Sequence, residues 1–118
     1  MAERIFDHPG LEVDAEELAR ELERGTVQLV DVREQDEWDA GRVEGAVHVP
    51  LSQLGARTGE LARDRPVVFQ CRVGGRSGYA AQALREQGVD AWSLRGGLLE
   101  WDAQGRPLVP EGGVVADH

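Results

Sequence analysis

The segment Pro66-Val67-Val68-Phe69-Gln70 restricts the fold more than any other stretch of the chain. It is a short run, apolar on both faces, followed at once by a glycine-containing turn and a helical pattern. A strand without polar alternation must be covered on two sides, which is the situation of a parallel sheet. The same alternation recurs along the chain. Asp14-Ala15-Glu16-Glu17 reads as a capped helix start, with Leu18 and Leu22 on one face and Gly25 as its end near residue 24. Val27 to Val32 reads as a buried strand ending in polar Asp31 and Arg33, and Glu34 to Ala40 as a short helix stopped by Gly41. Ala46 to Val49 is a second short strand, and Leu51 to Leu61 a weak helix interrupted by Gly55 and Gly59. Ser77 to Gln87 is helical, Ala91 to Leu94 another strand and Gly97 to Ala103 a last helix. Short strands alternating with helices imply an α/β fold with a mostly parallel central sheet flanked by helices. Ligands bind beyond the C-terminal ends of strands in such sheets, where this chain puts Asp31, Arg33 and Cys71.

With 118 residues there is room for one domain, expected to span 1–118. Pro107, Pro110, Gly112 and Gly113 predict a flexible tail over residues 109–118. No apolar run approaches the roughly 18–20 residues of a membrane span, so no membrane partner is expected. The start of the chain lacks a basic region followed by an apolar stretch, which points to the cytoplasm. A net charge of −9 disfavours nucleic acid, whose phosphates require cationic surface. All thirteen basic residues are arginine, which removes lysine Schiff-base chemistry and a Walker-type phosphate loop. One cysteine excludes an intramolecular disulfide and a CxxC pair. The three histidines, His8, His48 and His118, lack ligand spacing, so no metal and no cofactor is expected.

Within this acidic chain, residues 65–85 carry four arginines and no Asp or Glu. Such a cationic island suits a small anionic substrate, although solvated arginines also cluster by chance. At its centre lies Cys71-Arg72-Val73-Gly74-Gly75-Arg76-Ser77, joining the strand to the next helix. A lone cysteine ending a buried strand is more often a small core residue than a nucleophile. Three features reverse that weighting. The helix N-terminus favours a thiolate, Gly74 and Gly75 let backbone N–H groups curl around one point, and Arg72 and Arg76 add positive charge.

These residues carry a family resemblance. Leu29-Val30-Asp31-Val32-Arg33, Glu37-Trp38 and Gly41 through Pro50 resemble the first signature of the rhodanese homology domain. Cys71 through Ser77 is similar to its active-site loop. Leu94-Arg95-Gly96-Gly97, Trp101 and Gly105-Arg106-Pro107 resemble its C-terminal signature. The likeness spans about residues 11–108, and three motifs in order are far more specific than any one. One departure stands out: Gly41-Arg42-Val43 replaces the usual Gly-His-Ile. The resemblance implies a three-layer rhodanese-like sandwich and a single-domain sulfurtransferase. In that reading Cys71 is catalytic, as the carrier of a persulfide, and Arg72, Val73, Gly74, Gly75, Arg76 and Ser77 form the substrate-binding loop.

The donor is then a small anionic sulfur compound such as thiosulfate, and the acceptor cyanide or a thiol. An alternative is a sulfur-relay or interaction module that hands sulfur to a protein acceptor in cofactor or RNA thiolation. The Cys-x4-Arg spacing makes a phosphatase or arsenate reductase, which resemble Cys-x5-Arg, a minor alternative. Ser77 is expected to cap the helix and also to donate to the loop. Asp31 and Arg33 are expected to support the pocket as an ion pair involving Glu37, with His48 a turn residue and Trp38, Trp92 and Trp101 core or pocket wall.

Overall fold

The computed structural model describes residues 4–116. The chain runs β1 (Glu12–Val13), α1 (Ala15–Arg24), β2 (Gln28–Asp31), α2 (Gln35–Ala40), β3 (Val47–His48) and α3 (Leu51–Leu54). After a 3-10 turn at Thr58–Glu60 come β4 (Val67–Gln70), α4 (Gly75–Glu86), β5 (Ala91–Leu94) and α5 (Gly97–Ala103). The five strands form one sheet in the order β1-β5-β4-β2-β3, and every pairing is parallel.

Local chemistry accounts for the elements. The Asp14 carboxylate accepts the Glu17 N–H at 2.8 Å while Glu17 accepts the Asp14 N–H at 3.2 Å, so two free amides at the start of α1 are satisfied reciprocally. Gly25, at φ 70°, takes the left-handed turn that ends the helix. All four residues of β4 are buried, because successive side chains point to opposite faces and both faces are covered. Val30 and Phe69 pack with Leu54 of α3 and Ala80, Ala81 and Leu84 of α4. Leu29, Val68, Trp92 and Leu94 pack with Leu18 of α1 and with Leu98 and Trp101 of α5. The result is two helical layers around a sheet.

Register decides where the polar residues go. Asp31 sits opposite both Gln70 and His48, so three polar strand ends meet at one edge of the sheet, one residue before Cys71.

The structure departs from the sequence reading in four places. Strand β1, which pairs Val13 with Leu94, was not expected. The helix predicted over residues 51–61 is a single turn of α3 and a separate 3-10 turn, as its two glycines suggested. Helix α4 begins at Gly75, two residues before the predicted Ser77. Residues 109–116, read as a flexible tail, fold back instead. Val109 and Arg42 exchange N–H···O bonds at 2.7 and 2.9 Å, and the Val114 N–H reaches the Ala40 carbonyl at 2.8 Å. Residues 117 and 118 of that predicted tail lie outside the described residues.

Candidate active site

The loop from Cys71 to Ser77 leaves the C-terminal end of β4 and enters α4. Gly74 precedes the helix at φ 118°, a conformation that side-chain-bearing residues rarely adopt, and this turn aims the following amides back at the strand end. The Cys71 Sγ accepts the Gly74 N–H at 3.1 Å and the Ser77 N–H at 3.4 Å. The thiol in turn donates to the Ser77 hydroxyl at 3.4 Å; that hydroxyl donates to the Gly74 carbonyl and lies 2.8 Å from the Ser93 hydroxyl. Only 1% of Cys71 is exposed. Burial pushes the thiol up, but the Ser77 hydroxyl and the backbone amides of Ser77, Gly74 and Val73 outweigh it and hold the thiol below its ordinary value. A sulfur anion at this point is met by donors fixed in advance.

The strand-facing side of the loop is anchored by α5. The Leu98 N–H donates to the Cys71 carbonyl at 2.8 Å and the Leu99 N–H to the Arg72 carbonyl at 3.0 Å. Gly97 makes this approach feasible. It sits at φ 61°, and a Cβ there would stand 2.5 Å from the Arg72 carbonyl oxygen. The Gly96-Gly97 pair was visible in the sequence, but its role against the loop was not, because the contact joins segments distant along the chain.

Ser77 does not cap α4, contrary to expectation. Gly74 occupies the cap position and no side chain caps it. Ser77 lies one turn in, where its hydroxyl meets Cys71 and donates to the loop at the Gly74 carbonyl, the other half of its expected role. Ser93, the buried partner of that hydroxyl, had no signal in the sequence.

The arginines divide. Arg76 binds Glu37 of α2 through two bonds, 2.7 and 2.9 Å. Hydrogen bonding to Glu37 raises the Arg76 pKa despite burial, and the charges of Glu37, Cys71 and Asp31 add to that effect. Glu37 is itself fully buried and also accepts the Glu34 N–H at 3.0 Å. The cationic island therefore carries one charge already matched by a carboxylate. Arg72, on the other side of the cysteine, donates its Nε–H to the Ala116 carbonyl at 3.2 Å. Val73 between Arg72 and Gly74 is 56% exposed.

Asp31 and Arg33 form the expected ion pair. The carboxylate accepts from Arg33 Nε at 2.9 and 3.0 Å and from a terminal guanidinium nitrogen at 2.7 Å, which also donates to the Gly41 carbonyl at 2.8 Å. Both residues are 0% exposed, so they brace the site from behind rather than border an open pocket. His48 donates from Nε2 to the Arg33 carbonyl at 2.8 Å and stacks on Trp38, tying the end of β3 to α2. Trp92 lies in the core, while Trp101 donates its indole N–H to the Pro107 carbonyl at 3.0 Å. The buried Gln70 amide makes no hydrogen bond among the described residues. Among those residues no cluster of His, Cys, Asp or Glu could hold a metal ion, and no helix is long and apolar enough to cross a membrane.

Chemically, the arrangement stabilises negative charge on one sulfur, which suits a nucleophile or an acceptor of a transferred group. Residues 14–104 match the family model described as Rhodanese-like domain. Over 104 residues the chain is 38% identical to a sulfurtransferase of Allochromatium vinosum, covering 86% of this chain and 97% of that protein. It is 37% identical over 86 residues to the thiosulfate sulfurtransferase GlpE of Shewanella oneidensis, covering 72% and 85%. Identity to YqhL of Bacillus subtilis is 45% over 75 residues and 63% of this chain, but the match spans 60% of YqhL, and 50% of another relative. A solved structure of a rhodanese-related protein from Thermoplasma volcanium has a TM-score of 0.79 at 27% identity, covering 85% of this chain and 98% of that one.

Proposed function

Because this chain belongs to the family of Rhodanese-like domains, we propose that it moves sulfane sulfur from a donor such as thiosulfate to cyanide or a thiol through a persulfide on Cys71. The observation that carries this reading is the Cys71 sulfur itself, buried, held below the ordinary thiol value and approached by the amides of Gly74 and Ser77.

The Cys71 thiolate attacks the outer sulfur of thiosulfate. A new S–S bond forms, the sulfur–sulfur bond of the donor breaks, and sulfite leaves with the electron pair. The persulfide anion rests among the loop amides, which need no reorientation to receive its charge. Cyanide or a thiolate then attacks the terminal sulfur, breaks its bond to Cys71 and returns the thiolate. The two half-reactions share one enzyme form, so kinetics are ping-pong. Arg72, which donates to the Ala116 carbonyl, and Arg76, which is paired with Glu37, supply the positive charge of the loop toward an anionic donor. The lone cysteine suits a reducing compartment, and we assign the chain to the cytoplasm as a single domain.

The exposed side chain of Val73 favours a second reading, in which the acceptor is a thiol on a protein docking over the loop and the chain is a sulfur relay. Phosphoryl transfer is disfavoured, because a phosphatase needs the arginine of its loop to face the anion. Thiocyanate production from thiosulfate and cyanide, measured with wild-type protein and with folded Cys71→Ser, tests the proposal. The variant should lose all activity; an active variant, or Cys71-dependent turnover of an aryl phosphate, would overturn it.

A further inference from the structure

Between β5 and α4 lies a buried hydroxyl that no step of the sulfur chemistry uses. Ser93 is 1% exposed. It alternates with Ala91 along β5, so its side chain points to the face on which Ala91 packs with Ala80, Ala81 and Leu84 of α4. Its backbone N–H is taken by the Leu11 carbonyl at 2.9 Å. Among the described residues its hydroxyl has one hydrogen-bond partner, the Ser77 hydroxyl at 2.8 Å. A buried hydroxyl keeps its proton on an acceptor, and the Ser77 oxygen is the one within reach among the described residues.

Counting protons at Ser77 gives the pair a direction. A hydroxyl has one proton to give and two lone pairs to fill. While Cys71 is a thiol, its S–H fills one lone pair of the Ser77 oxygen and Ser93 fills the other. The Ser77 proton then goes to the Gly74 carbonyl at 3.3 Å. Once Cys71 is a thiolate it has no proton to give and needs one. The Ser77 O–H can turn from Gly74 to the sulfur, and the Gly74 carbonyl still keeps the Gly78 N–H at 2.9 Å. Ser93 goes on donating, which holds the Ser77 oxygen as an acceptor and leaves its proton for the sulfur.

We propose that Ser93 is a positioning residue of the Cys71 site, its hydroxyl steering the Ser77 proton onto the sulfur whenever the thiolate forms. No proton leaves either serine; the hydroxyls rotate, and the thiol proton passes to water. On the reading of Cys71 as the sulfur carrier, the thiolate is the nucleophile that takes sulfur and the leaving group that gives it up, so Ser93 acts in both half-reactions. Two effects share one sign. In a chain of hydroxyls each donor polarises the next, so the bond from Ser93 strengthens the bond from Ser77 to the thiolate. In the thiol form the S–H and Ser93 compete for one oxygen. Removing the Ser93 hydroxyl weakens the first arrangement and relieves the second, and both changes favour the thiol. Burial pushes that thiol up, and the Ser77 hydroxyl is foremost among the groups that outweigh it.

Iodoacetamide alkylates thiolates and finds no other cysteine in this chain, so it reads the site at each pH without any sulfur donor. Ser93→Ala removes the hydroxyl. Ser93→Val and Ser93→Thr form a second pair of equal shape, the one without a hydroxyl and the other with it. Ser93→Ala is also combined with Ser77→Ala. Circular dichroism and thermal melts establish which variants are folded, and either folded comparison decides.

Below the midpoint of its pH profile, Ser93→Ala should be alkylated about two- to tenfold more slowly, the range of one net hydrogen bond. On the alkaline plateau, where the thiol is fully ionised, its rate should match wild type. Ser93→Val should be slower than Ser93→Thr over the same acidic range, and the double variant no slower than Ser77→Ala alone. The kcat/KM for thiosulfate near neutral pH should fall with the alkylation rate. An unmoved profile in folded Ser93→Ala, equal profiles for Ser93→Val and Ser93→Thr, or an additive loss in the double variant would overturn the proposal. So would an equal loss at every pH, because a displaced loop slows both ends of the profile alike. Wild-type protein that is inert toward thiosulfate would instead refute the sulfurtransferase reading, and the alkylation profile would still decide the role of Ser93.

Discussion

Replacing Asp31 with asparagine should cost about 3–5 kcal/mol, a large share of the roughly 5–15 kcal/mol that holds a domain together. The Arg33 guanidinium is 0% exposed and takes three short contacts from the Asp31 carboxylate. Asparagine preserves the size of the side chain but leaves a buried cation without its carboxylate, with the Gly41 carbonyl its other acceptor among the described residues. Arg33→Met is the converse: among the described residues the carboxylate keeps the position-33 backbone N–H at 3.0 Å and no other donor. Each single variant strands one charge, so each should fall by a similar amount. The double variant Asp31→Leu/Arg33→Met strands none. Apolar replacement of a whole buried pair is often neutral or stabilising, so the double should recover most of the loss, short of about 1 kcal/mol for the bond to Gly41. Urea denaturation followed by circular dichroism and tryptophan fluorescence measures all four proteins. At roughly 4 °C per kcal/mol for a chain of this size, the single variants should melt about 12–20 °C lower. A loss below about 1 kcal/mol in either single variant would refute the reasoning, as would a double variant no more stable than the worse single.

Three further outcomes follow from the site. Ser77→Ala removes the hydroxyl beside the sulfur, so the midpoint of Cys71 alkylation against pH should move upward and reactivity near neutrality should drop; an unmoved profile would leave the amides as the whole cause. Since the folded thiol titrates below its unfolded value, thiolate formation adds stability above the unfolded value that is lost as pH falls through the folded one, and the Ala variant should show less of this dependence. Gly97→Ala places a Cβ against the Arg72 carbonyl at a positive φ, which should cost about 1–3 kcal/mol and lower the alkylation rate of Cys71 by displacing the loop, in contrast to a surface glycine such as Gly59. Gln70→Met removes a buried amide that makes no hydrogen bond among the described residues and should raise stability by about 1 kcal/mol in the same urea titration.

The elements that local chemistry determines were legible in the sequence. The capping box of Asp14 and Glu17, the strand at Ala91–Leu94 and the helix at Gly97–Ala103 appear where their residue patterns put them. So does the cysteine loop, because a strand end, two glycines and a helix start are neighbours in the chain. The misses are tertiary. Strand β1 has two residues, too few for periodicity to register, and exists because β5 offers it an edge. The pairing of Arg76 with Glu37 joins residues 39 apart, and nothing near either one announces the other. Gly75 and Arg76 looked like turn residues, but Gly74 makes the turn alone and frees both for the helix. Prolines and glycines near the end of the chain suggested looseness; Gly113 instead provides the backbone contact that docks the segment on Gly41.

The central claim is that Cys71 carries sulfur, and the mass of the protein after exposure to donor tests it most directly. Wild-type protein is incubated with thiosulfate, freed of small molecules and weighed intact without reductant. The expected result is a gain of one sulfur atom, confined to the Cys71 peptide, absent in Cys71→Ser and removed by cyanide with an equal quantity of thiocyanate released. No gain in mass, or a gain that persists in Cys71→Ser, would contradict it.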